Sequence, residues 1–282
     1  MAAGRPCPAP DGGTGLRRRR PSASRFVLSP ADKRAVARQF GRAAASYDAN
    51  ARIQAQVAGE LAALLPSLEL PAGARVLEIG CGTGLLTRRA LPLLPDIGQW
   101  LASDLSPAMA GRCRLACGDD PRLRFAAMDG EAPALAPGSV DLVCSSLALQ
   151  WFADPAASLA AWCRLLRPGG RLLVATLADG TFREWQAALA AAGAGPVGLS
   201  YPTLPEMRGW LPGLTVTSRA LVETHPDSRH FLLGLRDIGA GFAALRLDAA
   251  RLRRAMRALE AAGPVQITYQ LAILRAATEC HP

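Results

Sequence analysis

The chain has 282 residues, half of them hydrophobic and a fifth charged, with 32 basic against 23 acidic side chains and a formal charge of +9. That balance excludes a fibrous or wholly disordered protein, and the length can bury one large α/β core or two small ones. No apolar run approaches the ~18 residues of a membrane span, the start has no secretory apolar core, and seven scattered cysteines make no disulfide framework in a chain this long, so a cytoplasmic protein is expected.

Residues 1–25 carry six arginines against Asp11, or +5, which leaves +4 for the rest. This leader is rich in Pro, Gly and Ser and has no hydrophobic periodicity, so it is expected to be disordered. A nucleic-acid arm or an organelle transit peptide is its functional reading; a solvated extension is the plain one and is preferred. Lys33 is the lone lysine of the chain and is given no role. Ser29-Pro30-Ala31-Asp32 opens a helix that runs to Tyr47, and Ile53, Val57, Leu61 and Leu64 mark a second over 51–65. Strands then fall at Arg75–Ile79, Trp100–Asp104, Leu123–Met128, Val140–Leu147 and Arg171–Leu177, with helices over 83–94, 106–117 and 154–166 between most of them. The 130–139 connection is too short for a good helix. A helix over 181–192, a strand over 214–224, helices near 227–238 and 248–262 and a strand at Val265–Leu274 complete the order. Alternating strand and helix predicts a mostly parallel sheet with helices on both faces.

The sharpest motif is Val76-Leu77-Glu78-Ile79-Gly80-Cys81-Gly82-Thr83-Gly84, an apolar strand entering three glycines and a helix. Glycines there let backbone approach a ligand at the strand's carboxyl end. A dinucleotide fingerprint needs glycine at position 85, which is Leu85. Glu78 would repel a pyrophosphate and favour a ligand bearing an ammonium group. Asp104 ends the next strand, where a carboxylate can accept from both hydroxyls of a ribose. Asp129 ends the third, followed by Gly130 and Glu131, within reach of an adenine amino group.

These residues, with Ser139-Val140-Asp141-Leu142-Val143 and Leu165-Leu166-Arg167-Pro168-Gly169-Gly170, resemble the class I S-adenosylmethionine-dependent methyltransferases over residues 70–178. The resemblance implies a Rossmann-like seven-stranded sheet with its last strand antiparallel, S-adenosylmethionine as cofactor and S-adenosylhomocysteine as product. It implies that Glu78 lies near the methionyl ammonium, that Gly80 and Gly82 line the cofactor, that Asp104 holds the ribose and Asp129 the adenine. Cys81, Gly84, Leu105, Gly130 and Ser145 complete the implied cofactor set. Phe40-Gly41-Arg42-Ala43-Ala44-Ala45-Ser46-Tyr47-Asp48, Ile53-Gln54 and Leu147-Ala148-Leu149-Gln150-Trp151 are similar to the malonyl-acyl-carrier-protein O-methyltransferases of biotin synthesis, the BioC type. So are Thr181-Phe182-Arg183-Glu184-Trp185, Leu235-Arg236-Asp237-Ile238-Gly239-Ala240 and Ile267-Thr268-Tyr269, which carries the similarity from about residue 34 to the end.

That resemblance implies O-methylation of a malonyl carboxylate on an acyl carrier protein, by a monomer that uses neither nucleic acid nor membrane. Other small-molecule methyltransferases, acting on a quinone precursor or a free acid such as aconitate, share the sheet. A methyltransferase-fold assembly factor or hydroxylase is the alternative from another class. The expected organisation is the 1–25 leader, then one domain with a helical lid (26–69), a cofactor-binding core (70–178) and a substrate-side region (179–282). An ionised carboxylate needs no general base, and only His225, His230 and His281 are present, outside the cofactor core. No metal motif appears; Cys113 and Cys117, four apart on a helix, read as packing residues. Tyr47, Gln150 and Trp151 are the acceptor-side candidates. Arg183 is a candidate partner for a carboxylate or phosphate, or else a solvated arginine.

Overall fold

Residues 30–240, 247–261 and 263–278 are described by the structure, a computed structural model. The expected leader and His281 lie outside them. The chain opens with α1 (Pro30–Ala43), α2 (Tyr47–Asn50) and α3 (Arg52–Leu64). The single helix expected up to Tyr47 is thus two: Ser46 turns the chain, its N–H donating to Ala43 O at 3.0 Å and its hydroxyl lying 3.4 Å from Asp237 O.

The αβ core follows as β1 (Arg75–Ile79), α4 (Leu85–Ala90), β2 (Gln99–Asp104), α5 (Pro107–Cys117), β3 (Leu123–Ala127), β4 (Val140–Ser146), α6 (Pro155–Leu165) and β5 (Leu166–Leu177). Beyond it lie α7 (Arg183–Ala191), α8 (Leu204–Arg208), β6 (Thr215–His225), α9 (Ser228–Asp237), α10 (Ala249–Glu260) and β7 (Val265–Ala277). The sheet order is β3-β2-β1-β4-β5-β7-β6. The first five strands run parallel, whereas β7 is antiparallel to both β5 and β6. Chain order reverses between β1 and β4, which opens the crevice above their carboxyl ends where ligands of doubly wound sheets bind.

Side-chain alternation along β1 divides the core. Val76 faces a cluster with Trp100, Leu61, Leu65, Leu86 and Cys113 under α3, α4 and α5. Leu77 and Ile79 face Leu149, Leu159 and Trp162 under α6. Side chains of Ser106, Asp154, Asp227 and Asp248 cap the N-termini of α5, α6, α9 and α10, supplying acceptors to otherwise unpaired amides.

At the sheet's amino end, buried Asp141 accepts from the Arg75 N–H at 2.7 Å and from Arg167 Nη1 at 2.9 Å. The two motif segments around Asp141 and Arg167 therefore join β1, β4 and β5 far from the crevice. Through that pairing β5 begins five residues earlier than expected, Val140 lying opposite Leu166. No helix among the described residues is long and apolar enough to cross a membrane.

Candidate active site

A cavity sits above the β1–β4 crevice, walled by Gly80, Gly82, Asp104, Leu105, Asp129 and Gly130 and roofed by α1 and Tyr47. The glycine loop is pinned to the neighbouring strand, because the Gly80 and Cys81 N–H groups both donate to Ser103 O, at 2.8 and 2.9 Å. Gly80 has φ +73, and a Cβ there would come within 2.3 Å of the Ala148 Cβ, so only glycine fits this close approach. Gly84 caps α4 at φ +89; a Cβ would meet Cys113 Sγ at 2.9 Å, so it serves helix packing rather than the cavity. Cys113 and Cys117 are indeed packed beneath it.

Asp104 is set by two backbone donors. Gly82 N–H donates to its Oδ2 at 3.0 Å and Ser106 N–H to its Oδ1 at 2.8 Å. Burial nevertheless raises its pKa to about 6, these two hydrogen bonds opposing the shift. Asp129 Oδ1 accepts from the Glu131 N–H at 2.9 Å, and both carboxylates meet the Lys33 ammonium. Apolar walls come from Ile79, Leu105, Met128 and Phe152, which suits a flat ring lying between two acceptor carboxylates.

Three aromatic side chains gather on the acceptor side. Phe40 of α1 packs edge-on against Trp151, with ring centroids 5.2 Å apart, and lies 6.4 Å from Tyr47. Burial and the Asp104 and Asp48 carboxylates push the Tyr47 phenol well above its ordinary range. It is therefore a hydrogen-bond donor at neutral pH and not a base. Asp48 ties α2 to the loop, accepting from Thr83 Oγ1 at 2.5 Å and from Arg88 Nη2 at 3.1 Å.

Six residues offered as site candidates do not line the cavity. Glu78 points beneath the glycine loop, 1% exposed, its Oε2 accepting from Thr87 Oγ1 at 2.5 Å and Trp100 Nε1 at 2.8 Å. Burial raises its pKa to about 8, against those two hydrogen bonds. Cys81 and Gly84 also turn away from the cavity. Ser145 donates to Ile79 O at 2.8 Å and joins β4 to β1; its neighbour Ser146 lines the cavity instead. Gln150 is held between Leu147 O, to which its Nε2 donates at 2.7 Å, and the Thr176 hydroxyl, which donates to its Oε1 at 3.1 Å. That is a structural reason for a glutamine there. Arg183 pairs with Glu184 on the surface.

Lys33, Phe40 and Ser146 were missed from the sequence as lining residues, whereas Glu131 was placed there beside Asp129; the one available signal was that Lys33 is unique. A separate, wider groove of about 700 Å³ contains Arg52, Glu223, His225, His230 and Tyr269, and α2 divides the two, with Tyr47 on one side and Asn50 on the other.

The family described as a methyltransferase domain matches residues 77–174. The chain is 42% identical over 243 residues to the biotin biosynthesis bifunctional protein BioCD of Bordetella avium, covering 85% of this chain and 51% of that protein. It is 40% identical over 210 residues to the malonyl-acyl-carrier-protein O-methyltransferase of Magnetococcus marinus, covering 73% of this chain and 76% of that one. The chain belongs to the malonyl-acyl-carrier-protein O-methyltransferase family. It spans about half the length of the bifunctional Bordetella relative. The chain also shares its fold with the YcgJ protein of Bacillus subtilis, with a TM-score of 0.56 at 16% identity over 78% of this chain and 98% of that one. A Haloferax volcanii putative methyltransferase, solved with the Trm112 activator, gives a TM-score of 0.56 at 21% identity over 88% and 99% of the two chains.

Proposed function

We propose that this methyltransferase uses S-adenosylmethionine to methylate the free carboxylate of a malonyl group carried as a thioester on an acyl carrier protein. The observation that carries the reading is the single crevice that brings the glycine loop, Asp104, Asp129 and an aromatic roof together, in a chain with 40% identity to a relative of that name. Asp104 would accept from ribose hydroxyls and Asp129 from an adenine amino group, with Ile79, Leu105 and Met128 against the ring. Gly80, Gly82 and Gly130 supply close backbone. The cofactor brings a methyl group on a positively charged sulfur.

A carboxylate oxygen forms the new bond to the methyl carbon as the carbon–sulfur bond breaks, so a methyl ester and a neutral thioether result and no proton moves. This suits the cavity, whose lining among the described residues includes no histidine. What the protein supplies is desolvation and alignment. Phe40, Tyr47 and Trp151 exclude water, and the Tyr47 phenol can donate to the malonyl carboxylate. Glu78, sealed below the loop and holding its proton at neutral pH, would ionise in response to a cationic ligand above it. The free thiols of Cys81, Cys113, Cys117, Cys144 and Cys163 favour a reducing cytoplasm, where the protein would act as a monomer.

The test is incubation with methyl-labelled cofactor, without added metal, and malonyl carrier protein, malonyl-CoA, free diacids or a quinone precursor. Label on the malonyl ester supports the reading. Label on a quinone precursor or free acid alone overturns the substrate; cofactor binding without any transfer favours the assembly-factor alternative.

A further inference from the structure

Lys33 is the only lysine among the 282 residues, and it lies where α1 meets the rim of the cavity. Its ammonium donates to Asp129 Oδ2 at 3.1 Å and Oδ1 at 3.4 Å and contacts the Glu131 carboxylate still more closely. The lysine side chain is 18% exposed against 20% for Glu131 and 41% for Asp129, so water screens the Glu131 pair less than the Asp129 pair. Burial alone would lower its pKa; the hydrogen bonds to Glu131 and Asp129 outweigh that and raise it. Glu131 is fixed in turn, accepting the Ala153 N–H at 2.5 Å. Two carboxylates aimed at one point would repel each other without the ammonium between them.

The same face of α1 carries Val36, Ala37 and Phe40 into the cavity, at the helical spacing i, i+3, i+4, i+7 from Lys33. At the other end of the helix, Gly239, at φ +79, packs closely on Phe40, where an added Cβ would lie a tight 3.1 Å from the Phe40 Cα. So α1 is held by packing at its C-terminal end and by one ion cluster near its start. Beneath it the space, partly open to solvent, is about 110 Å³, under the ~300 Å³ at which small-molecule pockets begin. Seating a nucleoside-sized ligand fully beneath α1 requires the roof to shift, and the ion cluster is a connection that such a shift strains.

We infer that Lys33 is a positioning residue, a latch that clasps α1 to Asp129 and Glu131, gates exchange of the cofactor and keeps the Asp129 oxygens aimed into the cavity. The inference rests on the reading of this cavity as the cofactor site. Opening releases the ammonium from both acids. Closing over a bound nucleoside restores the contact to Glu131 while Asp129 accepts from the ligand as well.

Two measurements test it. In the first, S-adenosylmethionine binding and turnover are followed for wild type, Lys33→Met and Lys33→Arg. Lys33→Met should weaken binding by about tenfold, mainly through faster dissociation, so KM rises while kcat at saturation changes little. Lys33→Arg should recover most of the loss. Equal affinity and equal dissociation rate in folded Lys33→Met overturn the latch.

In the second, the sole lysine makes amine acylation followed by peptide mass spectrometry a one-site reporter. Lys33 should react slowly in the native chain, faster in Glu131→Gln, and more slowly again with S-adenosylmethionine bound. Reaction at the rate of the denatured chain, unchanged in Glu131→Gln, overturns it without any cofactor in the tube. Slow labelling in a wild-type protein that binds no cofactor overturns the gating role and the functional reading together, yet leaves the ion cluster established.

Discussion

Replacing Glu78 by Gln should stabilise the protein, by an amount that grows with pH. The carboxyl is 1% exposed, and its Oε2 receives both the Thr87 hydroxyl and the Trp100 indole N–H. A glutamine carbonyl can accept the same two donors, so the exchange removes an ionisable group and little else. The folded-state pKa is raised from 4.5 to about 8. The folded chain therefore keeps a proton that the unfolded chain has lost between those values, and wild-type stability falls as pH rises through that window.

At 1.36 kcal/mol per pH unit, the fall amounts to about 3 kcal/mol by pH 7 and about 5 kcal/mol once pH passes 8. The Gln variant has no such slope. Denaturant unfolding of both proteins at pH 5, 7 and 8.5 should show curves that nearly coincide at the lowest pH and diverge above it. Parallel curves would mean that Glu78 ionises in the fold as a free carboxylate does, and the burial argument would fail.

Further outcomes follow from the same geometry. Binding of S-adenosylmethionine at pH 7 should release a proton, since a cation above the loop draws Glu78 into its ionised form; calorimetric heats that do not vary with buffer ionisation would deny Glu78 that part. Asp104→Ala should weaken the cofactor by about 1.5–3 kcal/mol, the worth of hydrogen bonds to a charged acceptor, and wild-type affinity should fall as pH drops below about 6, where Asp104 takes its proton; titration calorimetry across pH 5–8 reads both. Tyr47→Phe should lower kcat more than cofactor affinity, whereas Gln150→Ala should chiefly lower the melting temperature, because its amide bridges Leu147 and Thr176. Transfer to the carrier-borne substrate should lose its advantage over malonyl-CoA as salt rises, if the excess basic charge steers an acidic carrier.

The parallel core could be read from the sequence because β1 and β4 are buried on both faces and appear as apolar runs, while the less buried β2 and β3 lead into Asp104 and Asp129. Strand β1 was placed to the residue, and the antiparallel last strand came from the family resemblance, which the terminal run at 265–274 fits. Side-chain direction was harder to see. Glu78 and Ile79 are adjacent, yet the two-residue alternation of a strand sends one under α4 and the other into the cavity wall. Ser145 and Ser146 divide in the same way.

Helix α8 has five residues and rests on a capping box between Thr203 and Glu206, too short for any periodicity to show. Lys33 could not be assigned, because its partners lie 96 and 98 positions away along the chain and meet it only when α1 folds over the sheet. Gln150 gains its structural role only when β5 brings Thr176 beside it.

The most direct test of the central claim is the mass of the acyl carrier after a single incubation of the full chain with malonyl carrier protein and S-adenosylmethionine. The account predicts that the malonyl carrier gains the mass of one CH2 unit, a methyl replacing the acid proton, that one S-adenosylhomocysteine forms for each ester, and that the gain disappears in Asp104→Ala at limiting cofactor. A carrier of unchanged mass, in a sample where the same protein methylates another acceptor, would contradict it.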